Sequence, residues 1–85
     1  MSQVIIYSSG FCPYCSWAKR MLDNKAVSYQ EIRIDQVEGA RQEMLDRSGG
    51  MMTVPQIFID DYHVGGYTDM VQLDQQGKLD PLLAG

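Results

Sequence analysis

Val4-Ile5-Ile6-Tyr7, Ser8-Ser9-Gly10-Phe11 and Cys12-Pro13-Tyr14-Cys15 follow one another without a gap and read as strand, loop and helix start. The first run is short, mostly apolar and rich in β-branched residues, the pattern of a strand buried on both faces. Gly10 makes the second run turn-prone. Proline at the first helical position loses no needed N–H, so Pro13 opens a helix with Cys12 at its N-cap and Cys15 one turn inside. Along that helix Cys15, Ala18 and Leu22 form one apolar stripe and Tyr14, Trp17 and Met21 a neighbouring one. Asp23-Asn24-Lys25 ends it.

Outward from this segment, Ser28 to Ile34 reads as a second strand, with Ile32 and Ile34 on one face and Tyr29 off phase. Val37, Ala40, Met44 and Leu45 stand at helical spacing and predict a helix from Gln36 to Arg47, stopped by Ser48-Gly49-Gly50. Gln56-Ile57-Phe58-Ile59 is a third strand. Asp60-Asp61 is a tight turn into a short fourth strand, Tyr62-His63-Val64, which Gly65-Gly66 ends. Thr68 or Asp69 then caps a helix running to Gln76, and Lys78 to Leu83 form a short C-terminal helical piece. The order is β-α-β-α-β-β-α. A helix between the first two strands implies a parallel pair with a right-handed crossover, and the Asp60-Asp61 hairpin an antiparallel one.

The chain has 85 residues, enough for a single domain over residues 1–85. Its net charge is −4, and no basic run exceeds Lys19-Arg20, which argues against nucleic acid and against an anionic membrane surface. The apolar runs are far short of a membrane span, and no basic-then-apolar leader pattern opens the chain. Only two cysteines are present, three positions apart. A loop that small removes little unfolded-state entropy, so the pair reads as chemical rather than as a staple, and the reducing cytoplasm is its natural compartment.

A thiol attacks a disulfide as the thiolate, and free cysteine, with a pKa of about 8.5, is mostly protonated near neutrality. The unpaired first-turn N–H groups and the positive end of the helix dipole favour negative charge on Cys12. Cys15 lies on the same helical face, less exposed, and is close enough to form a disulfide. Three other readings fit the spacing. Cys-x-x-Cys is half of many zinc sites, although a structural site needs four ligands and the only histidine, His63, is far along the chain. The two cysteines also fit as buried spectators, or as ligands to a cluster shared between two chains.

At Cys12-Pro13-Tyr14-Cys15 the sequence resembles a dithiol glutaredoxin of the thioredoxin superfamily. The resemblance extends over nearly the whole chain, through Ile6-Tyr7-Ser8, Thr53-Val54-Pro55 and Gly65-Gly66-Tyr67-Thr68-Asp69. It implies an α/β thioredoxin-like fold, a four-stranded mixed sheet flanked by helices, with a cis peptide before Pro55 facing the cysteines. It further implies a glutathione-dependent thiol–disulfide oxidoreductase, with Cys12 and Cys15 catalytic and no permanently bound cofactor or metal. Glutathione is then a co-substrate, and glutathionylated or disulfide-bonded proteins are the clients of a monomer.

The residues implied to bind glutathione are Tyr14, Arg41, Thr53, Val54, Pro55, Gly66, Thr68 and Asp69. In this reading the Val54 backbone pairs with the cysteinyl part. Gly66 and the following helix start take the γ-glutamyl carboxylate, Thr68 and Asp69 hold that end with Asp69 facing its ammonium, and Arg41 takes the glycyl carboxylate. Simpler roles fit the same residues. Pro55 suits a strand start, Thr68 and Asp69 a helix cap, Arg41 a solvated helix face, and Tyr14 the flank of a groove. Two departures from the family pattern stand out. Ser9 occupies a position where many members carry lysine. The loop Gly49-Gly50-Met51-Met52 is one residue longer than common and lacks the arginine often found before Thr-Val-Pro, leaving Met51 and Met52 as an apolar rim. Two alternatives remain alongside: a dimer holding a [2Fe–2S] cluster, and a related donor reduced by thioredoxin reductase.

Overall fold

Strand β1, Val4–Ser8, occupies the middle of the protein in a computed structural model that describes residues 2–85. It pairs in parallel with β2, Gln30–Arg33, and antiparallel with β3, Gln56–Ile59. Strand β4, Tyr62–Gly65, adds antiparallel to β3, so the sheet order is β2-β1-β3-β4. The parallel pair and the hairpin are those expected from the sequence, and together they make the four-stranded mixed sheet that the resemblance implies.

Strand alternation sorts the core into two layers. Val4, Ile6, Ile57 and Ile59 point to one face and meet Ala18 and Leu22 of helix α1, Pro13–Asn24. The same layer takes Met70 of α3, Tyr67–Gln75, and Leu79 of α4, Leu79–Ala84. Tyr7 and Phe58 point to the other face and meet Ala40 and Met44 of α2, Ala40–Ser48. Helices thus cover both faces, and β3 is buried along its whole length. The expected α1 stripe is the buried one, since Cys15, Ala18 and Leu22 are all buried. Tyr14 and Trp17 of the neighbouring stripe are exposed.

Several boundaries move. Helix α2 begins at Ala40 and not at Gln36. Residues 35–39 form turns, in which the Gln36 and Val37 amides donate to the Arg33 carbonyl and Gly39 takes φ +80°. Val37 is consequently exposed, although its spacing matched the helical stripe. Periodicity cannot register a left-handed glycine that breaks the turn between Val37 and Ala40. Helix α3 starts at Tyr67 with Gly66 at the N-cap, ahead of the expected Thr68 or Asp69. Strand β1 takes in Ser8, whose carbonyl accepts from the Ile34 amide and whose buried hydroxyl donates to Glu31 at 2.6 Å.

Candidate active site

Cys12 has extended backbone (φ −143°, ψ 96°) immediately before Pro13, the geometry of an N-cap. Its sulfur takes the role usually given to a cap hydroxyl, accepting from the Cys15 N–H at 3.1 Å. No acidic side chain stands in the first turn of α1, so nothing there competes with a sulfur anion for the orphan N–H groups. Cys15 is 2% exposed whereas Cys12 is half-buried. The two form a disulfide with their Cα atoms 5.2 Å apart. Cys12 is therefore the more accessible of the two sulfurs, and Cys15 is the buried one beside it.

The loop leading into Cys12 is held from the far edge of the sheet. Asp35, just beyond β2, accepts from the Gly10 N–H at 3.0 Å and pairs with the Arg33 guanidinium through both its oxygens, at 2.8 and 2.9 Å. The guanidinium, helped by the Gly10 amide, pulls the Asp35 carboxyl down to about 2. A Cβ on Gly10 would lie 2.7 Å from Arg33 Nη2, so only glycine fits this crossing without displacing the clamp. Nearby, the Ser8 hydroxyl and the Lys19 ammonium hold the Glu31 carboxyl below its usual range and tie α1 to β2.

On the other side of Cys12 runs the segment before β3. The Val54–Pro55 peptide is cis, and the Val54 carbonyl oxygen stands 3.6 Å from Cys12 Sγ. From there a groove of ≈ 360 Å³ extends between three elements. Its walls are Tyr14 of α1, Met51 with residues 53–55 of the loop, Gln56 at the start of β3, and residues 66–69 at the start of α3. At that end the Asp69 carboxylate accepts from the Gly66 N–H at 2.9 Å through Oδ2. Gly65 has φ +106°, and a Cβ there would run into that carboxylate. Asp69 therefore plays the capping role that the sequence allowed it, acting from inside the helix.

Tyr14, Thr53, Val54, Pro55, Gly66, Thr68 and Asp69 all come together along this groove. Arg41 does not line it; it lies exposed in the first turn of α2. Met51 lines the groove while Met52 is more exposed, at 71%. Sequence reasoning assigned no role to Tyr67, which lines the groove and packs against Tyr14 and Trp17 with ring centroids 6.2 and 5.8 Å away. The signal available for it was its place within Gly65-Gly66-Tyr67-Thr68-Asp69. A larger concavity, ≈ 680 Å³, is lined by residues of α1 and by Lys25 just after it, but Val54, which stands beside Cys12, does not line it, and Asp74 and Asp80 already occupy Lys25. Among the described residues no cluster of His, Cys, Asp and Glu is placed to hold a metal ion, and no helix is long and apolar enough to cross a membrane.

The comparisons with known proteins agree with this geometry. Residues 4–64 match the glutaredoxin family model. Glutaredoxin 3 of Escherichia coli K12 is 53% identical over 83 residues, covering 98% of this chain and 99% of that protein. Among solved structures, a buckwheat glutaredoxin–glutathione complex superposes with a TM-score of 0.88 at 31% identity, covering 98% of this chain and 77% of that one. The solution structure of glutaredoxin from Brucella melitensis superposes with a TM-score of 0.83 at 47% identity, over 98% of this chain and 89% of that one. With a Cys-x-x-Cys pair at the N-terminus of α1 and a groove beside it, this chain belongs to the glutaredoxin family of thiol–disulfide oxidoreductases.

Proposed function

We propose that the protein reduces protein–glutathione mixed disulfides and protein disulfides, with glutathione as its co-substrate. The observation that carries this reading is the groove that starts 3.6 Å from Cys12 Sγ at the Val54 carbonyl and ends at Asp69. A tripeptide in extended form suits it. The free backbone of Val54 pairs with a cysteinyl residue as an added strand would. At the far end, the start of α3 offers N–H groups to a carboxylate, and Asp69, with Oδ2 engaged by Gly66, keeps its other oxygen for an ammonium. Both charged groups of a γ-glutamyl unit find a partner there. That the buckwheat neighbour is a complex with glutathione supports the same reading. Arg41 would have to be met by the glycyl end outside the groove proper.

The chemistry follows from the two sulfurs. The Cys12 thiolate attacks the glutathionyl sulfur of a client mixed disulfide. The client sulfur leaves with the electron pair of the broken S–S bond and takes up a proton, and Cys12 is left bound to glutathione. A second glutathione thiolate attacks the glutathionyl sulfur, forming glutathione disulfide and regenerating the Cys12 thiolate. Where the client carries its own disulfide, the Cys15 thiolate attacks the Cys12–client bond and the pair closes. Both routes need Cys12, and only the second needs Cys15. The reading includes a monomer working in the cytoplasm, where a local redox pair is kept reducible.

A glutathione-reductase-coupled assay on a glutathionylated peptide tests it. Cys12→Ser should fall to the uncatalysed background, while Cys15→Ser keeps turning over the glutathionylated peptide and loses reduction of protein disulfides. Retained turnover in Cys12→Ser, or efficient reduction by thioredoxin reductase in place of glutathione, would overturn the proposal.

A further inference from the structure

We infer that His63 is a positioning residue for the groove, acting through the Gln56 side chain on the backbone of Thr53, an inference that rests on the groove being the substrate site. Gln56, the first residue of β3, is 1% exposed, and both ends of its amide are hydrogen-bonded. The amide nitrogen donates to the Thr53 carbonyl at 2.9 Å and to the Thr53 hydroxyl at 3.2 Å. Its oxygen lies 2.7 Å from His63 Nε2. A carbonyl only accepts, so the Gln56 nitrogen must be the atom facing Thr53. The Gln56 oxygen then faces His63, and Nε2 must carry the hydrogen. A contact with the backbone at Thr53 thereby selects one tautomer of a ring on β4.

The ring is held from a second direction. It stacks on Phe58 with centroids 4.7 Å apart and planes 20° from parallel. The Arg47 guanidinium of α2 sits 4.4 Å from the centroid of that same Phe58 ring, and it also donates to the Tyr7 hydroxyl at 3.1 Å. His63 itself does not line the groove, whereas Thr53 and Gln56 both do. Without a donor at the place of Nε2, the Gln56 oxygen is left buried and unpaired. It regains a partner only by turning, and turning releases Thr53, one residue from the Val54 backbone that meets the substrate.

Two substitutions separate this role from simple packing. The amide nitrogen of glutamine reaches about where Nε2 lies, and that of asparagine about where Nδ1 lies. H63N should therefore raise KM for a glutathionylated peptide about five- to tenfold, with kcat and the Cys12 thiol titration unchanged, while H63Q stays near the parent protein. Equal KM in H63N and the parent, equal losses in both variants, or a loss confined to kcat would each overturn the inference. Nitrogen NMR of the neutral ring in the unsubstituted protein gives a check that needs no variant to fold. It should show the Nε2-protonated tautomer, and the Nδ1-protonated form would refute the relay. Should the parent show no preference for the glutathionylated peptide over a disulfide peptide lacking glutathione, the proposed function fails. The tautomer and the Val54 amide exchange rate, expected to rise in H63N, still decide the relay.

Discussion

The starts of α1 and α3 border the same groove, yet they present opposite chemistry. At α1 the cap is a sulfur and the first turn holds no acid, an arrangement that favours negative charge at the cap. At α3 the cap is Gly66, and the Asp69 carboxylate has already taken its N–H. One terminus is capped by a sulfur with no acid beside it; the other has satisfied part of its own need and turns a carboxylate outward. Their approaches differ in the same sense. The loop into α1 is anchored from outside, by Asp35 beyond β2, whereas the approach to α3 is anchored by a residue of α3. The same backbone dipole thus meets a sulfur at one helix start and a carboxylate at the other, according to what the first turn carries.

Of the changes that set the two helix starts apart, removing the outward carboxylate should give the largest effect. Asp69→Asn keeps an acceptor for Gly66 and loses the charge, and is expected to raise KM for a glutathionylated peptide about five- to tenfold with kcat unchanged. Asp69→Ala should show the same KM change and, because the cap is lost too, fall about 1 kcal/mol in a urea-unfolding comparison. Equal stability of the two variants would mean that Asp69 does not cap. Making α1 resemble α3 is a smaller intervention. Ser16 is exposed one residue after Cys15, and Ser16→Glu should raise the pH at which Cys12 ionises by about half a pH unit, followed by thiolate absorbance. No change, or a fall, would argue against helix-end control of the thiol.

The smallest effect concerns the anchors. Asp35 titrates from an ordinary 3.8 down to about 2 in the folded protein, so its contribution is complete above the ordinary value and is lost as pH falls toward 2. The Gly10 amide signal should move across that window in an acid titration. Asp35→Asn should abolish the movement, while the Gly66 amide, held by Asp69, is unaffected by that substitution.

Much of this architecture was legible in the order of residues. The strands at Val4, Gln56 and Tyr62 appear from apolar alternation and their flanking turns, and α1 from a proline set after a capping residue. The place of Cys12 at the helix N-cap was legible for the same reason, since it stands next to Pro13. Val37 was misread because helical spacing is blind to the left-handed turn at Gly39. Tyr67 carries no assigned role although Gly66, Thr68 and Asp69 beside it do, because its contacts with Tyr14 and Trp17 join elements some fifty positions apart. His63 looked isolated because its partner Gln56 is seven positions away, on the adjoining strand.

Local chemistry, then, settled which segments are helix and strand, which cysteine starts a helix, and that the first two strands run parallel and the last two antiparallel. These depend on neighbours a few residues apart, through hydrogen bonds and side-chain alternation that the chain carries everywhere it goes. What surrounds Cys12 was settled by the sheet order β2-β1-β3-β4, which brings the Val54 carbonyl to a sulfur 42 positions earlier and places the start of α3 across the groove from Tyr14. Whether Arg41 or Asp69 reaches that groove is a question of packing between layers, and only the assembled layers answer it.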